Sequence, residues 1–174
     1  MMREGAADRS WFEPLVSRFE RPAFRFALML VQDPTLAEEI VQEAFARTWS
    51  SPRTPTVEDE FKRWLYRCIT NLAHDQHRRR AILARLPWHP ASEPDPVDVV
   101  ARRQDERELA RALRSLSLHE RQAVYLHYFE ELRFGEIARM LGGREATVRV
   151  TVHRALAKLR RHLEPGTRAE EVLA

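Results

Sequence analysis

Cysteine is nearly absent from the sequence. Cys68 stands alone among 174 residues, so no internal disulfide can hold the fold. Glycine is scarce as well, at 5 residues, and together with long helical hydrophobic periods this argues for an all-α chain. No apolar run approaches the ~20 residues of a membrane span, and Met1 to Ser10 is polar, unlike a signal peptide. A soluble, cytoplasmic protein without membrane insertion is therefore expected. A strong excess of one charge is also lacking. Twenty-nine Lys and Arg face 26 Asp and Glu, a net +3, so total charge says little about partners. Its distribution says more: Arg78-Arg79-Arg80 and Arg160-Arg161 are basic, while Glu38, Glu39 and Glu43 cluster on one predicted helix.

Signatures of catalysis are missing too. The chain has no G-x-S-x-G, P-loop or G-x-G-x-x-G motif. His74, Asp75 and His77 invite a metal reading, but Arg78 to Arg80 follow at once and would repel a cation. No second cluster of His, Cys or Glu supplies the remaining ligands of a metal site. No catalytic residue, metal or cofactor is expected, and Cys68 reads as a small buried residue.

What is present begins with Phe134 to Leu163. Phe134, Ile137, Ala138 and Leu141 fall at i, i+3, i+4 and i+7, one helical stripe. Gly142-Gly143 stops that helix, because glycine takes positive φ at little cost. A longer stripe follows in Val148, Val152, Ala155, Leu159 and Leu163, with Arg149, His153, Arg154, Lys158, Arg160 and Arg161 opposite. A short helix, a glycine turn and a basic amphipathic helix suggest a helix-turn-helix, whose second helix enters the DNA major groove. An ordinary helical hairpin with a solvated basic face fits the same pattern.

Upstream, residues 10–20 and 22–31 read as two helices, the second opening on Pro22. Asp33-Pro34 marks the next start, an Asp N-cap followed by proline where its missing N–H costs nothing. That helix runs to about residue 50, with Ile40, Val41, Ala44, Phe45 and Trp49 toward a core. A long helix follows over about 57–83. Phe61, Leu65, Ile69 and Leu72 form its inward stripe, and Trp64, Arg67, Asn71, Asp75 and Arg78 lie on another face. Residues 87–96, PWHPASEPDP, hold four prolines, which forbids a helix. The chain thus divides into a helical unit at 1–84, a Pro-rich linker at 85–98, a second helical unit at 99–163 and a frayed tail at 164–174. Ser117 to Glu120 reads as a capping box opening one helix of the second unit.

The two halves together resemble the sigma-70 family of bacterial RNA polymerase sigma factors, in its extracytoplasmic-function (ECF) group. Asp33 to Trp49 is similar to region 2.2, and Phe61 to Arg80 to regions 2.3 and 2.4. Leu113, Leu116, Glu120 and Arg121, then Glu136-Ile137-Ala138, then Thr147, Val148, Arg154 and Ala155 are similar to region 4. The linker leaves no room for a folded region 3. The resemblance implies a protein without enzyme activity that binds core RNA polymerase and directs it to promoter DNA. Region 2.2 would meet the β′ coiled-coil through Asp33, Glu38, Glu39, Gln42 and Glu43. Region 4 would sit on the β flap and read the −35 element through Arg144, Thr147, Arg149, Val150, His153 and Arg154. Trp64, Arg67, Asn71, Arg78 and Arg79 would open the −10 element and hold the freed strand. The linker would thread toward the active centre, and an anti-sigma factor is a candidate partner. An ordinary helix-turn-helix regulator, binding duplex DNA without polymerase, is the competing reading.

Some positions depart from the family pattern. Arg133 and Arg144 stand where helices of region 4 often begin with serine. An arginine cannot accept the orphan amides, which weakens each cap by roughly 1 kcal/mol. Val150-Thr151 replaces a small or basic pair, and would either meet thymine methyls or pack.

Overall fold

The computed structural model describes residues 10–83 and 104–163, and among these every regular element is a helix. The first half holds α1 (Phe12–Val31), α2 (Pro34–Ser50) and α3 (Glu58–Leu83). The second holds α4 (Gln104–Arg114), α5 (Leu118–Tyr128), α6 (Phe134–Leu141) and α7 (Glu145–His162). The expected Pro-rich linker and C-terminal tail lie outside the described residues.

The first difference from the sequence reading is in α1, one helix where two were expected, with Pro22 inside it. An interior proline removes one backbone bond and costs about 3 kcal/mol or more in an exposed helix. Here Phe19, Ala23, Phe26, Ala27 and Leu30 are buried on both sides of it, and that burial offsets the loss. Asp33 caps α2 as expected, accepting the Leu36 amide at 3.1 Å. Phe61, Leu65, Ile69 and Leu72 of α3 are all buried against α1 and α2. Trp49 was expected to face the core, but it is 44% exposed and leans on the Phe12 ring at the rim. Trp49 is the penultimate residue of α2, at the edge of the bundle rather than over its middle.

In the second half, Ser117 and Glu120 form the expected capping box on α5. Glu120 also takes Lys158 of α7 at 2.8 Å, which fixes the last helix to α5. Burial alone would raise the Glu120 carboxyl, yet Lys158 and Ser117 hold it below the ordinary range. Gly142 ends α6 at φ 71°, a conformation that strains any residue with a Cβ. The whole α7 stripe of Val148, Val152, Ala155, Leu159 and Leu163 is buried.

The two halves do not stand apart. Phe26 stacks on Tyr66 at 4.8 Å and meets Tyr125 of α5 at 5.0 Å, all inside one continuous core. The Gln122 amide donates to Thr70 Oγ1 at 2.6 Å, and the Tyr66 hydroxyl to Glu130 Oε1 at 2.7 Å. Glu130 also pairs with Lys62. Arg121 is the strongest tie. Its guanidinium donates twice to the Leu30 carbonyl at the end of α1, at 3.2 and 2.8 Å, and also to Leu113 and Leu116.

Candidate nucleic-acid and polymerase interfaces

The helix-turn-helix is built from α6 and α7. Neither Arg133 nor Arg144 makes a side-chain cap bond, as expected of arginine. On α6, Glu136 supplies half of the missing cap by accepting the Arg133 amide at 2.9 Å. Arg144, Thr147, Arg149, Val150, His153 and Arg154 are all exposed along one side of α7. Val150 is 47% exposed, so of the two readings of that position packing is the one that fails. Arg149 is held rather than loose: Glu145 takes its Nη2 at 2.8 Å, and its guanidinium lies 5.6 Å from the centre of the Phe134 ring.

On α3, Trp64 and Asn71 share a face away from the buried stripe, as their seven-residue spacing requires. Trp64 is only half-buried and lines a cleft with Arg63, Arg67, Arg139 and Met140, so it is not a core residue. Asn71 is exposed. Arg78 pairs with Asp75 at 3.0 Å, and Arg79 is exposed beside it. What covers this face is not legible in the sequence. Arg67 donates to the carbonyls of Met140 at 3.1 Å and Arg139 at 3.3 Å, in the last turn of α6. Those carbonyls have no intrahelical partner, and a helix C-terminus attracts a cation. The helix-turn-helix is thus docked over the Trp64–Asn71 face.

At the start of α2, Glu38, Glu39, Gln42 and Glu43 are exposed on one side. Asp33 is not comparable with them, because its carboxylate is spent on the α2 cap and on Arg80 at 3.0 Å. Glu43 is paired with Arg47 at 2.7 Å. Among the described residues Glu38 and Glu39 have no ion-pair partner, and they carry the free negative charge of this surface.

The fold and these faces define a two-part helical protein with a DNA-binding helix-turn-helix at its C-terminal side. Residues 15–82 match the model of sigma-70 region 2, and residues 106–159 that of sigma-70 region 4. The RNA polymerase sigma-E factor of Streptomyces coelicolor is 33% identical over 154 residues, 87% of this chain and 85% of that protein. The ECF RNA polymerase sigma factor SigX of Bacillus subtilis is 26% identical, over 88% of this chain and 84% of its own. A crystal structure of the sigma factor RpoE of Bartonella quintana, solved with the anti-sigma factor NepR, superposes with a TM-score of 0.67. That match covers 90% of this chain and 98% of the other at 21% identity, and it speaks for the fold. The chain belongs to the sigma-70 family and is a sigma factor of the ECF group.

Proposed function

We propose that the chain works in the cytoplasm as a non-enzymatic subunit that carries core RNA polymerase to promoters, each face described above having one task. The observation that carries this reading is the α3 face. An indole, an amide and an arginine share one side of a rigid helix whose other side is fully buried. An indole gives a base leaving the duplex a plane to stack on, and the amide can bond its edge. Arg67, Arg78 and Arg79 supply phosphate contacts along the same helix. Because Arg67 is occupied by α6, the helix-turn-helix has to leave α3 before a strand can bind. Anti-sigma factors are candidate partners of the docked form. No helix of the described residues is long and apolar enough to cross a membrane.

Glu38, Glu39, Gln42 and Glu43 form the polymerase-facing surface, with Glu38 and Glu39 as its main charges. Reversing both to lysine is expected to weaken core-polymerase affinity about tenfold or more at physiological salt, since opposed charge steers and holds such contacts. Both side chains are exposed, so the circular-dichroism spectrum stays native. Unchanged affinity in a folded double variant removes this assignment.

On α7, Arg149 reads base edges and Arg144 holds phosphate. A bidentate arginine on guanine is worth about 1–3 kcal/mol of discrimination. Arg149→Ala should therefore relax base preference in the −35 element. Arg144→Ala should weaken every sequence alike and lower the salt slope by about one. Equal losses for both variants on every −35 sequence contradict the division.

A further inference from the structure

Docking the two halves creates a cavity of about 370 Å³ between them. Arg67, Asn71 and His74 of α3 line one wall, and His119 of α5 and Arg139 of α6 line the other, with no carboxylate in the lining. The His74 and His119 rings are 4.6 Å apart, centre to centre. Among the described residues, neither the Asn71 amide nor the Arg139 guanidinium has a hydrogen-bond or ion-pair partner. His74, His119 and Arg139 thus meet here with Arg67, whose guanidinium already gives two bonds to the α6 carbonyls, and His74 is bonded to Gln122. Burial, and then His119, hold the His74 imidazole below its usual range. A Gln122 hydrogen bond opposes that depression, and Asp75 adds to the opposition. Arg67 and Asn71 also belong to the −10 face, whereas His119 and Arg139 serve neither base reading on α7 nor polymerase docking on α2.

We propose that this cavity binds a small phosphate oxyanion of pyrophosphate size, which ties the helix-turn-helix to α3. Guanidinium forks and imidazolium N–H groups are the donors that phosphate oxygens select. The volume takes two phosphoryl groups with a few ordered waters, at about 30 Å³ of liquid volume per water. The phosphates of a promoter strand have the same chemistry but need the opposite arrangement. A strand on the Trp64 face requires Arg67 to be released from α6, whereas the cavity exists only while α6 is docked. Anion binding itself is independent of the promoter-binding reading. Its consequence, a covered −10 face, rests on that reading.

The test uses the full chain and inorganic pyrophosphate. Calorimetry should show saturable binding at or below millimolar concentration, and small-angle scattering should show a radius of gyration that stays compact or contracts. The double variant Arg139→Gln, His119→Gln should lose about tenfold or more in pyrophosphate affinity, the scale of lost charge-assisted contacts. Arg139→Lys, His119→Lys should regain much of it. With a pyrophosphatase present to remove the pyrophosphate that RNA synthesis releases, the Gln variant should transcribe with core polymerase as the unaltered chain does. That control reports on the sigma reading separately, because its failure leaves the calorimetry intact. No saturable binding, equal binding by the Gln variant, or expansion on binding overturns the proposal. So does a single-stranded oligonucleotide that needs the same two residues and keeps the halves docked.

Discussion

Trp64→Ala is expected to leave binding to core polymerase intact and to abolish most transcription from a duplex promoter. The reason lies in where the indole sits. It is half-buried in a cleft on α3, facing away from Phe61, Leu65 and Ile69, and none of the described ring contacts involves it. Removing it therefore leaves no void in the core, and thermal stability should fall by less than ~1 kcal/mol. What is lost is a stacking plane worth about 1–3 kcal/mol per base, at the step that separates the strands. Asn71→Ala, at an exposed position one pair of turns along, should act in the same sense through the edge of that base. A template with a pre-opened −10 bubble supplies the unstacking cost of a few kcal/mol in advance. It should restore at least part of the Trp64→Ala activity. A variant that melts early and gains nothing from the bubble would place the indole in the structural core instead.

Arg121→Ala is expected to have the largest effect on stability. Its guanidinium ties three chain segments by accepting none and donating to carbonyls of Leu30, Leu113 and Leu116. Burial holds the guanidinium below its ordinary range, which marks how little water replaces those bonds. Hydrogen bonds from a charged donor are worth about 1.5–3 kcal/mol each and are not additive, so a loss of about 3 kcal/mol is reasonable. For a chain of this size each kcal/mol moves Tm by about 2–4 °C, so the midpoint should drop by roughly 6–12 °C. Arg121→Lys should recover only a small part, because a single ammonium cannot span carbonyls that the planar fork reaches. Calorimetric unfolding checks both. A midpoint within 1–2 °C of the unaltered chain, about the effect of a neutral surface change, would contradict the role.

How much of this was legible in the sequence depends on the range of the interaction. Stripes at helical spacing marked the buried faces of α3, α6 and α7, because one helix face carries them all. The Asp33 cap, the Ser117–Glu120 box and the Gly142 stop were readable for the same reason: each is settled within four residues. At Pro22 a local rule ends a helix, while burial of Phe19 and Phe26 on either side continues it. The docking of the halves was not legible at all. It depends on Tyr66, Gln122 and Tyr125, polar-tipped residues that look ordinary on a helix until a partner from 50 or more positions away meets them. Glu130 with Tyr66 and Thr70 with Gln122 are such pairs. Arg121 stood out only as part of a family motif, with no hint that Leu30 accepts from it. The basic residues of α7 lie on the exposed side that the sequence marks, except Lys158, which turns to Glu120 of α5, and the Glu145–Arg149–Phe134 arrangement needed coordinates.

The most direct measurement of the central claim is transcription by core polymerase with the purified chain on a pool of promoter DNA, read together with permanganate reactivity of thymines. Start sites should appear only when the chain is added and should share one −35 and −10 pair. Unpaired thymines should appear at the −10 element and vanish with Trp64→Ala. Duplex binding by α7 without any chain-dependent start site or unpaired thymine would contradict the claim.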